Sequence, residues 1–200
     1  MKVIDNWNEY YLRLAYLVAR KSKDESSKIG SVLVKNNSVI SSGYNGICAK
    51  VLDPWDYENK LEKFSEDIRE KGYDFYENEK AYEKIKNRKL RPYKYMWVSH
   101  SENNCICQVA KMGISSNGST LYTLAIPCDR CAVSLIQAGV SEVIVHKQFN
   151  DIFYQSEKWN PILQVTIDMF EEAGVKLKIL DLSLDEIVLL VRKNINYENV

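Results

Sequence analysis

Two cysteines, Cys128 and Cys131, stand three positions apart in the stretch PCDRC, directly after Pro127 and at the head of a helix-like run. That spacing puts both sulfurs on one face of a first helical turn, where the positive end of the helix favours thiolate. Zinc takes such soft donors at about 2.3 Å, and a catalytic site keeps three protein ligands with one open position. His100, one of only two histidines in the chain, can supply the third ligand. Water in the open position would then have its pKa lowered to about 7. Glu102 follows His100 by two residues and need not bind metal. Its carboxylate can take a proton from that water and hand it to a leaving group, as general base and then general acid.

Either half alone is weak. A lone C-x-x-C is more often a structural zinc or redox pair, and a lone H-x-E carries no meaning. Together they match H-x-E followed by P-C-x-x-C, the zinc nucleobase deaminase signature. The remaining candidates are less specific. Cys105 and Cys107 lie on the helix after His100, where i,i+2 side chains point apart, and both read as buried thiols. Cys48 has no histidine near it, so no second zinc site is expected, and His146 at a strand end reads as structural. Asn45, in SGYNG, sets an amide on a glycine-bounded loop, suited to a sugar hydroxyl or a base edge. Lys21, Ser22 and Lys23 offer cationic and hydroxyl donors in one short loop, suited to a phosphate dianion.

The elements that must carry these residues alternate. WNEYYLRLAYLVARKS has apolar residues at Tyr11, Leu14, Ala15 and Val18, the spacing of one helical face. IGSVLVKNNSVISSGYNG reads as a β-hairpin turning at Asn36-Asn37. A helix is expected from Ser101 to Met112, stopped by Gly113, then a strand in STLYTLAI and a helix in CDRCAVSLIQAG. SEVIVH and VKLKIL are further strands around a helix near NPILQVTIDMFEEAG, and Ser183 to Glu186 forms a capping box for a terminal helix. Residues 56–90 are densely charged, with Leu61, Phe64 and Ile68 at helical spacing and a break at Gly72, which predicts a charged helical hairpin on the surface. The expectation is one α/β domain over 1–200, a three-layer α/β/α fold with a mixed sheet of about five strands, a helical insertion at 56–90 and a helix and tail at 183–200.

Composition agrees with a compact domain: 200 residues, 46% hydrophobic. Twenty-seven basic residues balance 27 acidic ones, which argues against a long nucleic-acid partner while leaving room for a single nucleotide. The stretch MKVIDNWNEYY lacks a signal-peptide core and no run approaches a membrane span, so a cytoplasmic protein with thiol or metal-ligand cysteines is expected.

The chain resembles deoxycytidylate (dCMP) deaminases of the zinc-dependent cytidine/deoxycytidylate deaminase superfamily. The stretches that carry the resemblance are WNEYYLRLAYLVARKSKDESSKIGSVLV, GYNG, KYMWVSHSENN, TLYTLAIPCDRCA and IQAGVSEVIV. The zinc motif marks the superfamily, and SKDESSKIG, GYNG and the KY before His100 narrow it to nucleotide deaminases. The resemblance implies a cytidine deaminase-like fold, hydrolysis of dCMP to dUMP and ammonia, and supply of dUMP for thymidylate synthesis. It implies that Asn45 contacts the substrate sugar, that Asn104 lies in the substrate pocket, and that Lys21, Ser22 and Lys23 lie near the phosphate. It also implies a homo-oligomer, hexameric in many members, activated by dCTP with magnesium and inhibited by dTTP. Ser101 stands where the family usually has alanine, whose backbone touches the base; serine is small enough to keep that contact. Cys105 also replaces an alanine, and the stretch 56–90 is longer than the usual connection. Two alternatives stay open on the residues alone: a deaminase of tRNA or single-stranded DNA, and a non-catalytic zinc-stabilised nucleotide-binding module.

Overall fold

The computed structural model describes residue 4 and residues 6–57, 61–72, 79–154 and 160–183. In chain order its elements begin with α1 (Trp7–Ala19), β1 (Gly30–Lys35), β2 (Ser38–Tyr44), β3 (Gly46–Ile47), α2 (Leu61–Glu70), α3 (Glu79–Lys86), α4 (Lys94–Trp97) and β4 (Val98–Ser99). They continue with α5 (Ser101–Met112), β5 (Thr120–Thr123), α6 (Asp129–Gln137), β6 (Glu142–His146), α7 (Lys147–Phe153), α8 (Asn160–Glu172) and β7 (Lys176–Leu180). The chain divides into two compact units, one from 1–45 and 100–200, the other from 46–99.

The first unit is built on a five-stranded sheet in the order β2-β1-β5-β6-β7. β2, β1 and β5 pair antiparallel, whereas β5, β6 and β7 pair parallel, so the sheet is mixed as expected. The hairpin turns where the sequence suggests. Asn36 and Asn37 take φ of 51° and 57°, the left-handed pair that a two-residue turn matched to strand twist requires. Helices cover both faces, and two glycines of the hairpin permit their close approach. A Cβ on Gly30 would meet the Ala15 carbonyl oxygen of α1 at 2.1 Å, and one on Gly43 would meet the Ser101 carbonyl oxygen of α5 at 2.4 Å. Alternation does the sorting: Val32 and Tyr122 face α1, while Ser31 and Thr123 face α5. α8 packs beside α6 and β7, completing the layer that holds α5.

The buried face of α1 differs from the expected one. It comprises Tyr11, Leu12, Ala15, Tyr16 and Ala19, with Leu14 and Val18 only partly buried at its border. Its centre turns toward Tyr16 because a buried tyrosine needs a partner for its hydroxyl. His146 Nδ1 is that partner at 2.7 Å. The other ring nitrogen, Nε2, lies 2.8 Å from the Leu182 carbonyl and must donate to it, since a carbonyl only accepts. His146 is therefore a buried structural residue, as its place at a strand end implied.

The second unit has its own apolar centre. Phe64 and Ile68 of α2 and Tyr82 and Ile85 of α3 bury together with Leu52 and Tyr57. Phe64 meets Tyr57 and Tyr82 edge-on, with centroids 5.3 and 5.4 Å apart, and the Tyr82 hydroxyl donates to the Tyr57 carbonyl at 2.7 Å. Full burial of one such side chain contributes about 1.5–3 kcal/mol, which makes the expected charged hairpin a small cored unit as well. Its bounds, 46–99, are wider than the charged stretch 56–90, and β3 pairs antiparallel with β4 to close it. The terminal helix expected after Ser183 lies outside the described residues. Among the described residues, no helix is long and apolar enough to cross a membrane.

Candidate active site

The zinc-ligand candidates sit where two helices begin. His100 is the N-cap of α5 and Cys128 the N-cap of α6, both in extended backbone conformations, and Cys131 is in the first turn of α6. Their ligand atoms all lie within 4.8 Å of one another. The Cys128 and Cys131 sulfurs are 3.4 and 3.5 Å from His100 Nδ1. Tetrahedral zinc, with bonds of about 2.3 Å to sulfur and about 2.1 Å to nitrogen, sets sulfur and nitrogen roughly 3.6 Å apart. Both nitrogen–sulfur edges are therefore close to those of a zinc tetrahedron, and three soft or borderline donors would leave one corner open. The donor set fits zinc.

Protons compete for the same atoms in the metal-free site. The Cys128 thiol is held down to about 4, first by the hydrogen bond from Cys131 and then by His100. Cys131 moves the opposite way because it gives that hydrogen bond and is buried. His100 is raised to about 9, mainly by its bond to Cys128 and against the opposing effect of burial. A divalent cation would replace these protons.

Glu102 is in the first turn of α5, 5% exposed, and is not a member of the donor triangle. Burial pushes its carboxyl up, while the positive His100 ring pulls it down. The neighbouring Ser101 hydroxyl donates to Glu102 Oε2 at 3.0 Å. Behind it lies a buried hydroxyl cluster that sequence reasoning missed. Ser31 Oγ is 2.7 Å from Ser101 Oγ and donates to Thr123 Oγ1 at 2.9 Å. Nothing but the inward phase of β1 and β5 could have pointed to it. Asn150 and Tyr154 were missed too. They pin the segment between β5 and α6: Asn150 Oδ1 accepts the Ile126 amide at 3.0 Å, and the Tyr154 hydroxyl donates to the Ile126 carbonyl.

The expected substrate residues have different surroundings. Asn45 is buried and turns its amide inward. Its Oδ1 accepts the Ile29 amide at 2.8 Å, and its Nδ2 donates to the Ser27 carbonyl at 2.9 Å and to Asp24 Oδ2 at 3.3 Å. Asn104, half-buried on α5, donates to the Tyr44 carbonyl at 2.7 Å. Ser22 is buried and donates to the Asn45 carbonyl at 2.8 Å, while Lys21 and Lys23 on either side are exposed. Asp24, not singled out in the sequence, is the hub of this loop: its Oδ1 accepts from the Ser26 amide and hydroxyl and from the Ser27 amide. All five cysteines are free thiols. Cys105 is buried as expected, but Cys107 is exposed, because two positions along a helix turn the side chain to the opposite side.

A sheet covered on both sides, with a His-Cys-Cys triangle at two helix starts and a buried acid beside it, defines the class of α/β domains with a candidate metal centre. Residues 5–147 match the cytidine and deoxycytidylate deaminase zinc-binding region, and the chain belongs to that family. It is similar to mouse deoxycytidylate deaminase, 32% identical over 158 residues, covering 76% of this chain and 69% of the mouse protein. The human deoxycytidylate deaminase is 29% identical over 180 residues, covering 86% of this chain and 78% of that protein. The dCMP deaminase of cyanophage S-TIM5, solved with dCMP and dUMP, shares the fold. It has a TM-score of 0.56 at 22% identity, over 90% of this chain and all of that one.

Proposed function

We propose that this protein deaminates dCMP hydrolytically to dUMP and ammonia, supplying dUMP for thymidylate synthesis. The observation that carries the reading is the His100–Cys128–Cys131 triangle, whose nitrogen–sulfur edges suit a zinc tetrahedron, with Glu102 buried beside it. Similarity to dCMP deaminases supports the choice of substrate. His100, Cys128 and Cys131 would hold zinc, which would supply an acidified water for the hydrolysis. Glu102 would take up a proton and return it to the leaving amine, and its burial would keep that proton from escaping to solvent. Ser101 offers its backbone to the base, Asn104 lines the pocket, and Asn45 braces the loop that brings Lys21 and Lys23 toward the phosphate, with Ser22 shaping that loop from inside.

We further propose a cytoplasmic homo-oligomer, a hexamer by resemblance, activated by dCTP with magnesium and inhibited by dTTP. Such control requires each effector to bind two protein states unequally, worth about 1–3 kcal/mol of coupling. The test of the whole reading is ammonia release from dCMP, deoxycytidine and a cytosine-containing oligonucleotide, with and without the triphosphates. Fast turnover of dCMP alone supports it. Activity confined to the oligonucleotide would move the protein to polynucleotide deamination, and no turnover by the zinc-loaded protein would leave a binding module.

A further inference from the structure

The hydroxyl cluster behind Glu102 is buried, with Ser31, Ser101 and Thr123 each 0% exposed. It runs in one line from β5 through β1 to the first residue of α5, ending on Glu102 Oε2. Ser101 directs its hydroxyl proton to Glu102 Oε2, and Ser31 directs its own to Thr123 Oγ1 while lying 2.7 Å from Ser101 Oγ. Packed without access to water, the Ser101 hydroxyl is held in place from behind and meets the carboxylate in front.

We propose that Ser101 is a positioning residue which, backed by Ser31 and Thr123, holds Glu102 Oε2 in one place and leaves Oε1 to meet the reacting proton. This rests on the deaminase reading. A swinging carboxylate would have to be recaptured at each half-reaction, so the effect falls on turnover and not on substrate binding.

The test is steady-state kinetics on dCMP with Ser101→Ala, Ser31→Ala and the double variant, alongside zinc content and crystal structures of the metal-free proteins. Loss of one hydrogen bond to a charged group should lower kcat about tenfold in Ser101→Ala, with KM and zinc content unchanged. Ser31→Ala should lower kcat less. The double variant should be no slower than Ser101→Ala, because Ser31 acts only through Ser101. In crystals of Ser101→Ala the Glu102 carboxylate should occupy more than one position. The inference is overturned if kcat of Ser101→Ala stays within about twofold of wild type, if the two losses multiply, or if Glu102 keeps a single position. A wild-type protein that does not deaminate dCMP defeats the underlying reading instead, and the Glu102 position in metal-free crystals still decides this one.

Discussion

The donor triangle and the loop 21–29 are both polar, both in the first unit, and both rich in side chains suited to binding, yet they point in opposite senses. His100, Cys128 and Cys131 turn their ligand atoms toward one another. Asn45, Ser22 and Asp24 turn theirs back into the loop and satisfy its own amides and carbonyls. At a helix start, position in sequence dictates direction, since N-cap and first-turn side chains project from a fixed frame. In an irregular loop, a polar side chain goes to whichever backbone group would otherwise be left unpaired. Substitutions should therefore remove metal and chemistry in the first region, and stability before chemistry in the second.

The largest effect is expected at the triangle. Cys131→Ala leaves two protein ligands, which should not hold zinc against a chelator, and metal analysis together with turnover should both fall to background. Full zinc occupancy in that variant would break the assignment of the site. Glu102→Gln comes next. The near-isosteric amide should keep zinc and fold, yet lower kcat about 10²- to 10⁴-fold because it cannot take and return a proton. Turnover within a few-fold of wild type would transfer the proton role to another group.

Proton competition sharpens the same side of the comparison. In the metal-free protein His100 keeps its proton up to about pH 9, and Cys131 keeps its own because it gives the hydrogen bond to Cys128. Zinc must displace both, so its affinity should rise with pH through the neutral range and the rise should slacken above about pH 9 as the imidazolium disappears. Zinc titrations in buffers of different ionisation enthalpy would read the released protons directly. An affinity flat between neutral pH and pH 9 would mean that the donors are already unprotonated.

For the loop, Asn45→Ala removes three hydrogen bonds, those to the half-buried Ile29 amide and Ser27 carbonyl and to Asp24 Oδ2. Stability should fall by about 2–3 kcal/mol in urea unfolding, with a raised KM for dCMP and zinc retained. A raised KM with unaltered stability would mean that Asn45 binds substrate without bracing the loop.

The same contrast explains what could be read from the chain. The helix from Ser101 to Met112 and the Asn36-Asn37 turn were legible because each rests on local spacing or on a residue's own backbone preference. The candidate metal triangle spans 28 and 31 positions and was legible only because its two halves match a known paired motif. The burial of Phe64 and Ile68 was half legible: their spacing indicated a helix, but the surrounding charge concealed that Tyr57, Tyr82 and Ile85 would close over them. The Ser31–Ser101–Thr123 line and the Asn150 and Tyr154 anchors were not legible. They join residues separated by 24 to 92 positions, and only the strand pairing and helix packing bring them together.

The smallest effect, and the finest test of the contrast, concerns the phosphate. Lys21 and Lys23 are exposed on either side of buried Ser22, so only the two cations can reach a ligand from this short stretch while the hydroxyl shapes it from within. An exposed cation near a phosphate contributes at most about 1 kcal/mol in water, because solvent screens it. Lys21→Ala and Lys23→Ala should each raise KM for dCMP a few-fold, leave kcat and the KM for deoxycytidine unaltered, and lose their effect at high salt. Ser22→Ala should instead lower stability, since the Asn45 carbonyl loses its buried donor. If both lysine variants keep the full preference for dCMP over deoxycytidine, the phosphate is held elsewhere and this loop serves the fold alone. If Ser22→Ala abolishes that preference without changing stability, the hydroxyl turns outward to the ligand and the contrast between the two regions fails at this residue.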